Sequence, residues 1–155
     1  MPHSTNCIAS LSLDEAVAKH SKLFVFALLL SLPPGIHASP GNDHAIQRFA
    51  DTLAAHLHGK RLDPSITHSR TGPNQFAVAV LANGHKTQSV SGHLAVATGI
   101  WARVLGIQYA HGLVVPCPQA DGRTGVMIRK DQPGWEGDLA YCRDWLARVL
   151  GRTAV

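Results

Sequence analysis

The run Leu23 to Leu32, LFVFALLLSL, constrains this chain more than any other feature. Lys19 and Lys22 precede it, and Pro33-Pro34-Gly35 ends it. A membrane-spanning helix needs about 20 consecutive apolar residues, and here two prolines close the run after half that length. Three roles remain. The run can be the apolar stretch of a cleaved export signal, with Ile36-His37-Ala38 supplying the uncharged and small residues that a signal peptidase takes. It can be a buried element of a domain, because periodicity does not separate a short apolar run in a core from one in a leader. It can also be an uncleaved anchor. The flanking lysines and the cut motif favour the first role. Residues 1–38 are accordingly expected to be a leader and 39–155 a single globular domain, exported to a periplasmic or extracellular location. Met1 to Ser21 is long and, with Asp14 and Glu15, acidic for the charged start of such a leader, so a true start at Val17 is also expected.

Apolar residues make up 45% of the chain and charged residues 15%, which argues for a folded core and against disorder. The net charge of +4 is spread thinly: only Lys60-Arg61 and Arg129-Lys130 place two basic residues side by side. A nucleic-acid surface needs a basic stripe interleaved with aromatics, and aromatics are 6% here. Nucleic acid is therefore not expected as a partner, and membrane contact is expected only through the leader. The expected binding residues are Lys60, Arg61 and Arg70 in a polar loop, together with the loop aromatic Trp135.

Beyond the leader, Ile46, Phe49, Ala50, Leu53 and Leu57 form one apolar stripe at helical spacing, so a helix runs from a cap at Asn42 or Asp43 to about Leu57. Lys60 to Asn74 reads as a long loop. Phe76 to Ala82 alternates as a strand, and Asn83-Gly84 predicts a hairpin returning along His85 to Val90. Gly92 to Leu105 predicts a buried helix, with Ser91 as its cap and Gly106 as its stop, and a strand from Leu94 to Trp101 is the alternative. Leu113 to Val115 and Val126 to Ile128 are two further strands. Asp138 would cap a last helix whose inner face is Leu139, Cys142, Leu146, Val149 and Leu150. The expected fold is a small single α+β domain in helix-hairpin-helix-hairpin-helix order, with a mainly antiparallel sheet packed on helices.

Residue types that do chemistry occur without the spacing that chemistry needs. His56 and His58, two apart on a helix, point to nearly opposite sides, and the remaining histidines show no ligand spacing, so neither a metal nor a cofactor is expected. Pro116-Cys117-Pro118 lacks the second cysteine and the His-x-Glu of a zinc deaminase. Asn83 to Thr87 lacks the spacing of a phosphate loop. Catalytic candidates are Ser91 with His93, and Cys117 with His111, with Asp121 or Asp138 to orient the imidazole. Removal of the leader also removes Cys7 and leaves Cys117 and Cys142 as a possible disulfide. A polar loop without an acid/base constellation points to an exported binding or assembly protein, without catalytic activity and with a protein partner in the envelope. The alternatives are a secreted hydrolase built on Cys117 or Ser91, and a cytosolic α/β protein that keeps residues 23–32 in its core.

Overall fold

The structure, a computed structural model, describes residues 13–36 and 40–151. Cys7 and the expected cut after Ala38 lie outside the described residues. A short helix over 13–19 (α1) leads into β1 (Lys22–Ser31), α2 (Pro40–Gly59), β2 (Ser65–Gly72), β3 (Gln75–Asn83), α3 (Ser91–Leu105), β4 (Val114–Pro116), β5 (Gly125–Arg129) and α4 (Trp135–Val149).

The run expected to be a leader is β1, the central strand of the sheet. The order is β2-β3-β1-β4, with β5 also on β1, and every pairing is antiparallel. This is the split βαβ, or ferredoxin-like, arrangement: α2 crosses from β1 to β2 and α3 from β3 to β4, and each crossover steps over one intervening strand. Helices cover both faces, which is why β1 reads as a continuous apolar run without alternation. Phe24, Phe26, Leu28 and Leu30 face α2 and α3 with Phe76, Val78 and Val80 of β3. Leu23, Val25 and Ala27 face α1 and α4, with Ala77 and Ala79 of β3 and Cys142, Trp145 and Leu146 of α4. Cleavage after Ala38 would take away the strand that joins β3 to β4 and β5. A start at Val17 would strip Leu13 and Ala16, both buried, from the second layer.

Trp101 is the pivot of the α2/α3 layer. Its ring is fully buried and meets Phe49 and Phe76 edge-on, at 5.7 and 6.2 Å between centroids. Its indole N–H donates to Ser31 O at 2.9 Å, so the polar atom is satisfied inside the core. The predicted stripe of α2 is buried as expected, with Ile46, Phe49, Ala50, Leu53 and Leu57 all at 5% exposure or less.

α+β with an antiparallel sheet holds, while the expected element order is corrected in three places. Ser65–Gly72, expected as loop, is an edge strand whose pairing with β3 outweighs its polar composition. The hairpin therefore turns at Pro73-Asn74. At Asn83-Gly84 the chain leaves the sheet: the Asn83 side chain accepts the His85 N–H at 3.0 Å, and Gly84 N–H donates to Lys22 O at 2.8 Å, so 85–90 forms no strand. A Cβ on Gly84 would lie 2.9 Å from the Lys22 carbonyl carbon, so glycine is what lets this exit lie so close to β1. Finally, β4 and β5 form no hairpin with each other. They lie end to end along β1, with β4 opposite Leu28–Leu30 and β5 opposite Lys22–Phe26. Caps differ too: α2 begins at Pro40, ahead of Asn42 and Asp43, α3 is preceded by Val90, and α4 by Gly134 in a left-handed conformation, with Asp138 inside the first turn.

Candidate functional site

The break between β4 and β5 builds a polar cleft. Cys117 N–H still donates to Ala27 O at 2.9 Å, and Gly125 lies opposite Phe26, so residues 118–124 loop out of the ladder between them. This excursion is internally braced. Gln119 N–H donates to Arg123 O at 2.7 Å, Asp121 accepts the Arg123 N–H at 3.0 Å, and the Asp121 carboxylate lies 3.4 Å from the Arg123 guanidinium. The Gln119 side chain donates to the Gly125 carbonyl. On the other side, Trp145 N–H reaches Pro118 O at 3.4 Å and ties the excursion to α4.

Between the excursion, β5 and the start of α4 lies a cleft of about 600 Å³, lined by Gln119, Asp121, Arg123, Gly125, Val126, Met127, Arg129, Asp138 and Tyr141. Its size falls within the range of ligand-binding clefts. Two acids and two bases rim it, and Tyr141, 37% exposed, contributes an aromatic wall. The residues expected from sequence contribute Asp121 and Asp138 to this cleft. Gln119, Arg123, Arg129 and Tyr141 belong to no motif that assigns them to a site, although Asp138 and Tyr141 stand three apart on a helix and so share a face.

The expected catalytic pairs are not brought together. His93 Nε2 is 2.7 Å from Thr87 Oγ1, and its ring stacks on Phe26 at 5.2 Å between centroids, while Ser91 Oγ is 3.1 Å from Ser89 Oγ. Burial pushes the His93 pKa down, and the nearby His56 and Lys60 push it further the same way. Cys117 is half-buried against the α4 layer, and burial raises its pKa, the opposite of what an attacking thiolate needs. His111 is exposed beside Tyr109, at 5.9 Å between ring centroids. Ser91 and His111 do share a second groove of about 440 Å³ along α3, lined mostly by Leu94, Ala95, Thr98, Gly99 and Ala102.

The expected disulfide is not formed. Cys117 and Cys142 are free, and burial pushes the Cys142 thiol up to about 12. Both pack as small apolar groups in the α1/α4 layer.

The four expected binding residues are scattered. Lys60 and Arg61 are exposed in the turn after α2, Arg70 lies on β2 with its guanidinium 5.6 Å from the Phe76 ring centroid, and Trp135 opens α4 with the Lys130 ammonium 5.9 Å from its ring centroid. The structure also shows contacts between residues far apart in sequence. Ser21 Oγ lies 2.9 Å from His85 Nε2, and His20 Nε2 lies 2.9 Å from Asp63, which Lys19 approaches at 3.5 Å. Among the described residues, no group of three or more histidines, cysteines and carboxylates could hold a metal ion, and no helix is long and apolar enough to cross a membrane.

The class defined by these observations is a helix-covered α+β domain of split βαβ topology with an open cleft beside one sheet edge. Comparison with protein-family models, with curated proteins and with solved structures gives no match to this chain.

Proposed function

We propose that this protein is a binding or assembly module without catalytic activity, and that it engages a protein partner through the cleft beside β5. The observation that carries the reading is the cleft itself: a strand edge with no second strand beside it among the described residues, in a trough with two arginines, two aspartates and a tyrosine on its rim. Backbone groups on such an edge supply affinity to an extended segment, and flanking side chains supply selectivity. The proposal takes residues 22–31 as retained in the working protein. The export reading would instead require a mature chain that folds without its central strand.

Selection of displayed random peptides against the purified protein, followed by mapping of bound peptides by NMR shifts, tests the reading. Binders are expected to shift Met127, Arg129 and Tyr141, and Tyr141→Ala is expected to weaken them. Binders that map elsewhere and ignore Tyr141→Ala would overturn it.

One observation favours a second reading, a hydrolase. Ser21 Oγ and His85 Nε2 stand at the distance of a nucleophile and its base. Both residues are exposed, and such a contact is also an ordinary surface hydrogen bond. Turnover of an ester or peptide panel that disappears on Ser21→Ala would establish the enzyme.

A further inference from the structure

β5 keeps an edge that can still form a ladder. Lys130 N–H donates to Ser21 O at 2.9 Å, and in the antiparallel register Val126, Ile128 and Lys130 turn their backbone groups toward β1. Gly125, Met127 and Arg129 therefore turn theirs outward, into the cleft. The Gly125 carbonyl accepts from Gln119 and the Arg129 carbonyl from Gln132 N–H at 3.1 Å. Left facing outward are the N–H groups of Gly125, Met127 and Arg129 and the carbonyl of Met127, with no partner among the described residues.

The other described edges are blunted. β4 ends in Pro116, which has no N–H to offer, and β2 carries a register irregularity between Arg70 and Gly72. Gly125–Arg129 contains neither a proline nor a bulge.

We infer that β5 pairs antiparallel with β5 of a second copy of this chain across a twofold axis at Met127, which joins the two sheets into one. This rests on the reading of the cleft as a binding surface and names its occupant. Charge selects that occupant. A uniformly acidic strand would meet Asp121 and Asp138, and a uniformly basic strand would meet Arg123 and Arg129. Across a twofold, Met127 exchanges N–H and C=O with Met127 of the second copy, and Arg129 comes opposite Gly125 of the second copy. That places each guanidinium beside the other copy's excursion, which carries Asp121. A self-complementary patch of this kind is what an isologous dimer requires. It also removes the open edge.

Sedimentation equilibrium of the full chain over a wide concentration range provides the test. The wild type is expected to be a dimer. Arg129→Pro removes an outward N–H that makes no bond to β1, and it is expected to weaken dimerisation by at least about tenfold. Arg129→Glu is expected to do the same by charge, and the double variant Arg129→Glu with Asp121→Arg is expected to recover most of the loss. Should Arg129→Pro fail to fold, as judged by its thermal melt, the charge-reversal pair carries the test unaided. A wild type that stays monomeric at every concentration, or a dimer indifferent to these changes, overturns self-pairing. In a monomer, displayed peptides that still shift Met127 and Tyr141 would leave the cleft as a binding surface. Their absence would remove both claims.

Discussion

The two sides of β1 are built on different terms. Toward β3, nine residues from Leu23 to Ser31 pair without a break. Toward the other side the ladder is split between β5 and β4, and residues 118–124 loop out between Cys117 and Gly125. The unbroken side sits under Phe49, Phe76 and Trp101, and its specificity comes from packing. On the split side an interrupted ladder leaves polar side chains and backbone groups without strand partners among the described residues, and these line a cleft. One apolar strand thus serves as core on one flank and as the foundation of a polar cleft on the other.

The largest loss is expected on the packed side. Trp101→Ala is expected to cost about 3–5 kcal/mol, because it leaves a cavity beside Phe49 and Phe76 and frees the Ser31 carbonyl. Tyr141→Ala, on the rim of the cleft, is expected to change stability by no more than about 0.5 kcal/mol. Urea unfolding of the two variants checks this contrast, and equal losses would erase it.

Gly125 stands where the two sides meet. A Cβ built there would overlap the Phe24 ring, whose face belongs to the α2/α3 layer. Gly125→Ala is expected to cost about 1–3 kcal/mol through the displaced ring. It should also perturb the cleft. Chemical denaturation reads the first effect, and NMR shifts at Gln119 and Arg123 read the second.

A smaller effect sharpens the difference by pH. Stacked on Phe26, His93 has its pKa lowered from 6.5 by burial and by the His56 and Lys60 charges. Between its unfolded and folded values the unfolded chain binds more protons. The contribution of neutral His93 is therefore complete above pH 6.5 and lost as pH falls toward the folded value. His93→Gln is expected to flatten the acid slope of stability. Melts from pH 7 downward, with and without the substitution, measure it.

Much of this fold is legible in the residues themselves. The stripe of α2, the alternation of β3, the extent of α3, the inner face of α4 and the positions of β4 and β5 follow from local pattern, whereas α4 starts at Trp135, ahead of the cap that Asp138 suggests. What pattern does not carry is pairing. Ser65–Gly72 is polar and becomes a strand only because β3 lies beside it and Ser69 Oγ can donate to Leu150 O at 2.6 Å. Leu23 to Leu32 is apolar on both faces because both are covered, and that signature matches a leader equally well. Once the run is set aside as a leader, β4 and β5 can only be given to each other, and the cleft between the excursion and α4 has no place to form. Asp121 and Asp138 stand out as acids in any reading. Arg123, Arg129 and Tyr141 join them only when β1 lays β4 and β5 end to end.

N-terminal sequencing of the protein isolated from the cell that makes it tests the central place of β1 most directly. The account predicts a first residue upstream of Lys22, with the whole of Lys22–Ser31 retained in the folded protein. A folded, functional protein that begins at Ser39 would contradict it.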